Sequence, residues 1–306
     1  MKRGMIVVAA LPLALILACA EDEPPEVSVW STYRGPTVGG ASFRAVDASG
    51  PNDVWAVGAQ GTILHYDGAS WAFYRVSVTD LDLYAVNMTS GSSGWAVGAG
   101  GVVLRYHNGQ WFNTVHLAGY DLYGVAFDDT GLGFAVGDDG AIFRYDGESW
   151  QDVSPPGLTA DLRGVAVAGG GTAWAVGDAG TTLYYNGGGW QRVASPTKER
   201  LNAVAAGVDG VYAAGDNGVI LHNAGGGWSV VRTPTTHPLL GFDAAGDVAF
   251  ACGNDGVLLR RKDGDWGPVR LELGPINLNA VALCNSAEGW AVGDESVILQ
   301  YRRAWK

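Results

Sequence analysis

Arg44, Tyr84, Tyr123, Arg163, Asn202, Leu240 and Asn279 stand 38 to 40 residues apart along this 306-residue sequence. Guanidinium, phenol and amide groups supply hydrogen-bond donors and flat faces, which suits them to gripping a partner rather than attacking one. A second set recurs with them: Asp138, Asp139, Asp178, Asp216, Asp255, Asp294 and Glu295. These acids could hold a cationic partner, or serve only as good turn residues. Catalytic and metal signatures are missing: no Cys-x-x-Cys, His-Glu-x-x-His or Gly-x-Ser-x-Gly occurs, and the five His residues lack ligand spacing. His65 and His222 share one repeat position, held elsewhere by Arg105, Arg144, Tyr184, Arg260 and Gln300, and such variety predicts partial exposure. No catalytic residue, cofactor or metal is expected.

Three cysteines remain. Leu15-Ile16-Leu17-Ala18-Cys19 follows a positive start and an apolar run too short to be comfortable as a membrane span. The ending resembles a bacterial lipobox, which implies cleavage before Cys19 and lipidation of its thiol. Ala20, not Asp, follows. By the sorting rule known for enteric bacteria this directs the protein to the outer membrane, so the expected location is the cell envelope, lipid-anchored. Cys252 and Cys284 then form either a disulfide, in an export compartment that permits one, or two buried apolar thiols. The formal charge of −12 argues against nucleic acid, which needs a basic face.

The elements that must position these residues are repeats. A Trp-Ala-Val-Gly-like tetrad ends at Gly58, Gly98, Gly137, Gly177, Gly215, Gly253 and Gly293. A second Trp follows 13 residues after each of the first six: Trp71, Trp111, Trp150, Trp190, Trp228 and Trp266. Upstream lies a Leu-x-Ala-Val-like motif whose second residue is the first set above. Self-similarity at about 40 residues means a repeat architecture. Each repeat holds four short apolar runs bounded by Gly, Asn, Asp, Ser or Pro, which read as strands, and Asp-Asn-Gly-like links suit tight hairpins needing positive φ. Seven units of four antiparallel strands make an all-β, seven-bladed β-propeller. Blades stack face to face, so middle strands are covered on both sides and read as continuous apolar runs.

The blades run approximately over 41–78, 79–118, 119–158, 159–197, 198–236, 237–274 and 275–306. Residues 1–18 read as a lipoprotein signal peptide, 19–26 as an acidic, Pro-rich tether, and 27–306 as the propeller. The last repeat has no room for its own fourth strand, while Trp30-Ser31-Thr32-Tyr33-Arg34 resembles Trp71-Ala72-Phe73-Tyr74-Arg75. Residues 27–34 are therefore expected to complete the last blade and close the ring without an exposed edge.

In a four-stranded blade, the loops leading into strand one and the turns joining strands two and three open on the same face. The first set would ring one mouth of the central channel and the acids would surround it. That mouth is the expected partner site.

The units (Leu-x-Ala-Val, Trp-Ala-Val-Gly, Ile-Leu-x-Tyr, Asp-Gly-x-x-Trp) resemble the repeats of photosystem II stability/assembly factor-like propellers and the broader BNR-type, WD40/YVTN/BNR-like superfamily. The resemblance covers about 27–306. It implies a protein-binding role through an Arg-lined patch; Arg44 and Arg163 match that pattern, and Tyr84, Tyr123, Asn202, Leu240 and Asn279 depart from it. The Asp-Gly-x-x-Trp turns at Asp67 and Asp146 resemble the sialidase Asp-box, without its leading Ser-x-Asp or its Thr. The resulting expectation is a monomeric, lipid-anchored, non-catalytic protein-binding scaffold or assembly factor. The alternative is a glycan-binding or sialidase/glycosidase-like propeller.

Overall fold

The computed structural model describes residues 26–33, 42–74, 77–117 and 119–305. Cys19, the signal region and most of the tether lie outside these residues, as does Arg34. The chain forms seven four-stranded antiparallel sheets arranged as the blades of a propeller. Blade four is representative: its strands are Leu162–Ala168, Thr172–Gly177, Thr182–Tyr185 and Trp190–Arg192. Within each of the first six blades, strands pair in chain order.

The ring closes as the sequence suggests. Glu26–Thr32 pairs antiparallel with Ile298–Trp305, in register from Glu26↔Trp305 to Thr32↔Leu299. Tyr33 N then donates to Ile298 O at 2.8 Å. Trp30 takes the place of a fourth-strand Trp, packing edge-on to Phe250 at 5.1 Å.

The apolar core is divided into layers between neighbouring blades. In six of the seven layers a fourth-strand Trp of one blade meets the second-strand aromatic of the blade before it; Trp266 instead packs on Phe242 of its own blade. Trp71 stands edge-on to Trp290 (5.2 Å), Trp111 to Trp55 (5.6 Å) and Trp150 to Trp95 (5.4 Å). Fully burying one such ring stabilises by about 3 kcal/mol. The indole N–H of Trp30, Trp71, Trp111, Trp150, Trp190, Trp228 and Trp266 is buried without a hydrogen-bond acceptor. Each costs about 1–3 kcal/mol, which ring burial must outweigh.

Two glycine positions are set by close contact. A Cβ on Gly177 would lie 2.0 Å from the carbonyl oxygen of Asp161, where the second strand ends against its own blade's first. The link between strands two and three is a three-residue 3-10 turn rather than a two-residue hairpin, with its middle residue at positive φ: Gln60, Gly100, Asp139, Ala179, Asn217, Asp255 and Glu295. Its last residue is also left-handed, and at Gly180 (φ 68°) a Cβ would meet Thr197 O at 2.1 Å.

The disulfide alternative is corrected. Cys252 and Cys284 are free thiols. Cys252 lies in the layer between blades six and seven, whereas Cys284 packs against the layer between blades seven and one. The sheet of blade seven separates them. Burial pushes both thiols up to about 12, as expected for small apolar side chains.

Candidate functional site: the channel mouth

Each inner strand carries the same irregularity at its second residue. Leu122 pairs with Gly137 and Gly124 with Val136, so Tyr123 is pushed out of the ladder. The same shift occurs at Arg44, Tyr84, Arg163, Asn202, Leu240 and Asn279. A β-bulge re-aims its extra side chain. Here it turns seven side chains out of the strand pleat at the level of the turns joining strands two and three. The third residue of each motif must be small because adjacent inner strands approach closely: a Cβ on Gly241 would sit 2.8 Å from Ala280 Cα.

Four of the ring residues meet the first residue of their own blade's turn. Tyr123 Oη donates to Asp138 (2.7 Å), Asn202 Nδ2 to Asp216 (3.0 Å) and Asn279 Nδ2 to Asp294 (3.0 Å). Arg163 is held by two acids, donating from Nη2 to Asp161 (2.8 Å) and from Nε to Asp178 (3.2 Å). The seven expected rim acids therefore split. Asp138, Asp178, Asp216 and Asp294 are half-buried and bound to the ring, whereas Asp139, Asp255 and Glu295 occupy the middle turn position and are exposed. Asp255 is 3.0 Å from His237 Nδ1.

The ring has two unlike halves. Across blades one to four it is a continuous aromatic and cationic strip. Arg163 lies 4.2 Å over the Tyr123 ring, and Tyr123 stacks on Tyr84 at 5.5 Å. Arg44, exposed, exerts its charge on Tyr84 from the next blade. Across blades five to seven the amides are spent on the scaffold: Asn202 also donates to Leu239 O (2.9 Å) and Asn279 to Phe43 O (2.8 Å). Leu240, half-buried, sits between them.

The electrostatics follow the contacts. Burial raises the Tyr123 hydroxyl far above its ordinary value, helped by the hydrogen bond to Asp138. Burial also raises Tyr84, with Asp121 and Asp82 adding to it. For Asp294 burial acts upward, but the amides of Asn279 and Asn277 outweigh it and hold the carboxyl low. Asp161 and Asp178 are both engaged with Arg163.

Two groups of residues escaped the sequence reading. In blades two, three, four and seven the residue before the inner-strand motif latches the blade to the previous one. Asp82 accepts from Gln60 N (2.8 Å), Asp121 from Gly100 N (2.8 Å), Asp161 from Asp139 N (3.0 Å) and Asn277 from Asp255 N (3.1 Å). The recurrence of Asp at this position in repeats two to four was the available signal. Deeper in the channel, the fifth motif residue of blades one, two and six reaches instead to the following blade. Asp47 Oδ2 accepts from Met88 N (2.6 Å), Asn87 Oδ1 from Phe127 N (2.9 Å) and Asp243 Oδ2 from Leu283 N (2.7 Å). Asp47 and Asp243 keep a little surface toward the channel but are walled in by protein. Burial pushes their carboxyls up to about 6 and about 7, against the pull of backbone N–H groups.

Among known proteins, no family model and no curated sequence matches this chain. Solved structures do. YCF48 bound to D1 peptide superposes with a TM-score of 0.73 at 20% identity, over 89% of this chain and 96% of that one. Virginiamycin B lyase from Staphylococcus aureus superposes with a TM-score of 0.80 at 12% identity, over 90% and 99%. A streptogramin B lyase gives 0.82 at 11%, over 90% and 98%. At these identities the likeness is one of fold: the chain shares its seven-bladed ring with both binding proteins and enzymes.

Proposed function

We propose that this propeller is a non-catalytic protein-binding scaffold or assembly factor that takes its partner at the channel mouth, along Arg44, Tyr84, Tyr123 and Arg163. The observation that carries this reading is the asymmetry of the ring. Asn202 and Asn279 spend their amides on the scaffold, while the strip over blades one to four keeps an exposed guanidinium and stacked phenol faces. Tyr and Arg are the side chains that dominate protein interfaces. The YCF48 structure, with a D1 peptide bound, supports a propeller of this shape gripping protein. The lyase neighbours keep an enzymatic alternative in view, the glycosidase-like one included; against it, Asp161 and Asp178 are tied to Arg163 rather than facing one another across open space.

The anchoring reading belongs here too. The lipobox-like Leu15 to Cys19 stretch supports an exported, lipid-anchored protein, placed in the outer membrane by Ala20. Labelling of the chain by a radioactive fatty acid, lost in Cys19→Ser, tests it.

The binding test is an affinity capture from detergent-solubilised membranes with mass spectrometry of co-purified proteins. Changing Arg44, Tyr84, Tyr123 and Arg163 together to Ala abolishes recovery of a partner captured by the unaltered chain, while circular dichroism still reports an all-β fold. Undiminished recovery rejects the site.

A further inference from the structure

On the face opposite the mouth, two guanidinium groups depart from the pattern around them. One third-strand position there carries His65, Arg105, Arg144, Tyr184, His222, Arg260 and Gln300. In blade one, His65 Nε2 lies 2.6 Å from Asp53, two residues before Trp55. Arginines of this face are also paired: Arg261 with Asp209 at 2.8 Å and Arg303 with Asp247 at 3.0 Å. In blades two and three the place of Asp53 is taken by Ser93 and Leu132. Arg105 and Arg144 accordingly make no ion pair with any described residue. The Nε of Arg105 is buried without an acceptor, and its guanidinium rests 5.3 Å over the Trp95 ring. A chain with 31 acids and 19 bases has left two neighbouring cations uncompensated.

Both arginines line one groove of about 580 Å³ between blades two and three. Pockets of roughly 300–1,000 Å³ hold small ligands. Its other walls are not cationic. Asp128 Oδ1 closes a turn by accepting from Thr130 N (3.0 Å), Thr130 Oγ1 (2.7 Å) and Leu132 N (2.9 Å). Asp146 Oδ1 accepts from Glu148 N (2.9 Å) and Ser149 N (2.8 Å). Asp146 Oδ2 is engaged too, accepting from Ser149 Oγ (3.2 Å) and Gln151 Nε2 (3.3 Å), whereas the second oxygen of Asp128 and exposed Asp129 leave acceptors along the same groove, beside the half-buried rings of Phe127 and Tyr145. A bare anion would suit the arginines and be repelled by the acids. A ligand with one anionic group and several hydroxyl donors satisfies both sets.

We propose that this groove binds carboxylate-bearing saccharides, of the hexuronate type. Arg105 and Arg144 take the carboxylate, in the bidentate manner open to guanidinium groups. The groove acids accept the sugar hydroxyls, and Phe127 and Tyr145 meet its apolar face. The site is independent of the mouth.

Titration calorimetry of the full chain with digalacturonate, and with the neutral digalactose as control, tests this. Digalacturonate binds and digalactose does not. Arg105→Gln and Arg144→Gln each weaken binding about tenfold or more, the loss expected for a charged hydrogen-bonded contact. The double variant abolishes it, and Arg44→Gln at the mouth leaves it unchanged. Arg144 is exposed, so Arg144→Gln keeps the test available even if the Arg105 variant does not fold. Absence of heat at about 10 mM digalacturonate, equal affinity for digalactose or for inorganic phosphate, or full binding by the double variant would each overturn the proposal.

Discussion

The seventh blade is built from the same four strands as the other six, yet its outermost strand arrives from the far end of the chain. Everywhere else, the segment leaving the fourth strand runs back over the turn between strands two and three. That passage is what forbids a side chain at Gly61, Gly101, Gly180 and Gly218, where a Cβ would come within 2.0–2.2 Å of a carbonyl oxygen of the segment. In blade seven the matching segment, 34–41, lies outside the described residues, and the position is Ser296, held at φ 63°. Likewise, Arg302-Arg303 needs no turn residues, because Ile298–Trp305 runs straight through as a long third strand. The comparison teaches that Gly61, Gly101, Gly180 and Gly218 answer to a neighbouring backbone as well as to their own positive φ. It also shows that the ring is held shut by noncovalent contacts at one place only.

Deleting residues 26–33 is the largest perturbation of that seam. It bares the edge of Ile298–Trp305 and empties the place of Trp30 against Phe250 and Tyr301. The melting temperature, read by calorimetry, should fall by about 10 °C or more; an unchanged melt would show that the seam does not hold the ring.

Glycine substitutions sharpen the contrast. Gly180→Ser should destabilise by roughly 2 kcal/mol or more, since both its φ and Thr197 O oppose a Cβ. The reverse change in blade seven, Ser296→Gly, should stabilise by about 0.5–1 kcal/mol or be neutral. Denaturant midpoints report both, and equal effects at the two sites would remove the distinction.

A smaller effect concerns protons beside the seam. Asp243 reaches from blade six to Leu283 N of blade seven, and its carboxyl, like that of Asp47, is raised from 3.8 in the fold. The native state therefore binds more protons than the unfolded chain between about pH 4 and pH 7. By linkage, the contribution of these groups to stability is greatest below the unfolded value and declines as pH rises through the folded ones. Asp243→Asn keeps an acceptor for Leu283 N, as Asn87 does for Phe127 N in blade two, and should flatten stability against pH over that window. A variant with the same slope as the parent would place the titration elsewhere.

Much of this architecture was legible in residue types and spacing. The period, the blade count and the N-terminal strand follow from local features, because apolar runs, turn residues and recurring Trp act where they stand in the chain. The position of the ring residues at one mouth followed from strand topology alone. The latch acids Asp82, Asp121 and Asp161 were visible as a recurrence, but not their purpose: each accepts a backbone N–H from the preceding blade, about 22 residues away in sequence. The separation of Cys252 from Cys284 also needed the fold, since neighbouring blades in sequence have two faces each, and only packing assigns a side chain to one.

Sequence by itself determined that seven small sheets must share their apolar faces, because none is thick enough to bury both of its own. Tertiary structure decided which polar groups are left free to meet a partner. Arg163 and Arg105 are both arginines at repeat positions whose residue type varies from blade to blade. One is clamped by Asp161 and Asp178; the other, with Ser93 where blade one has Asp53, makes no ion pair with any described residue. That difference lies in the distances between charges, which only the folded blade fixes.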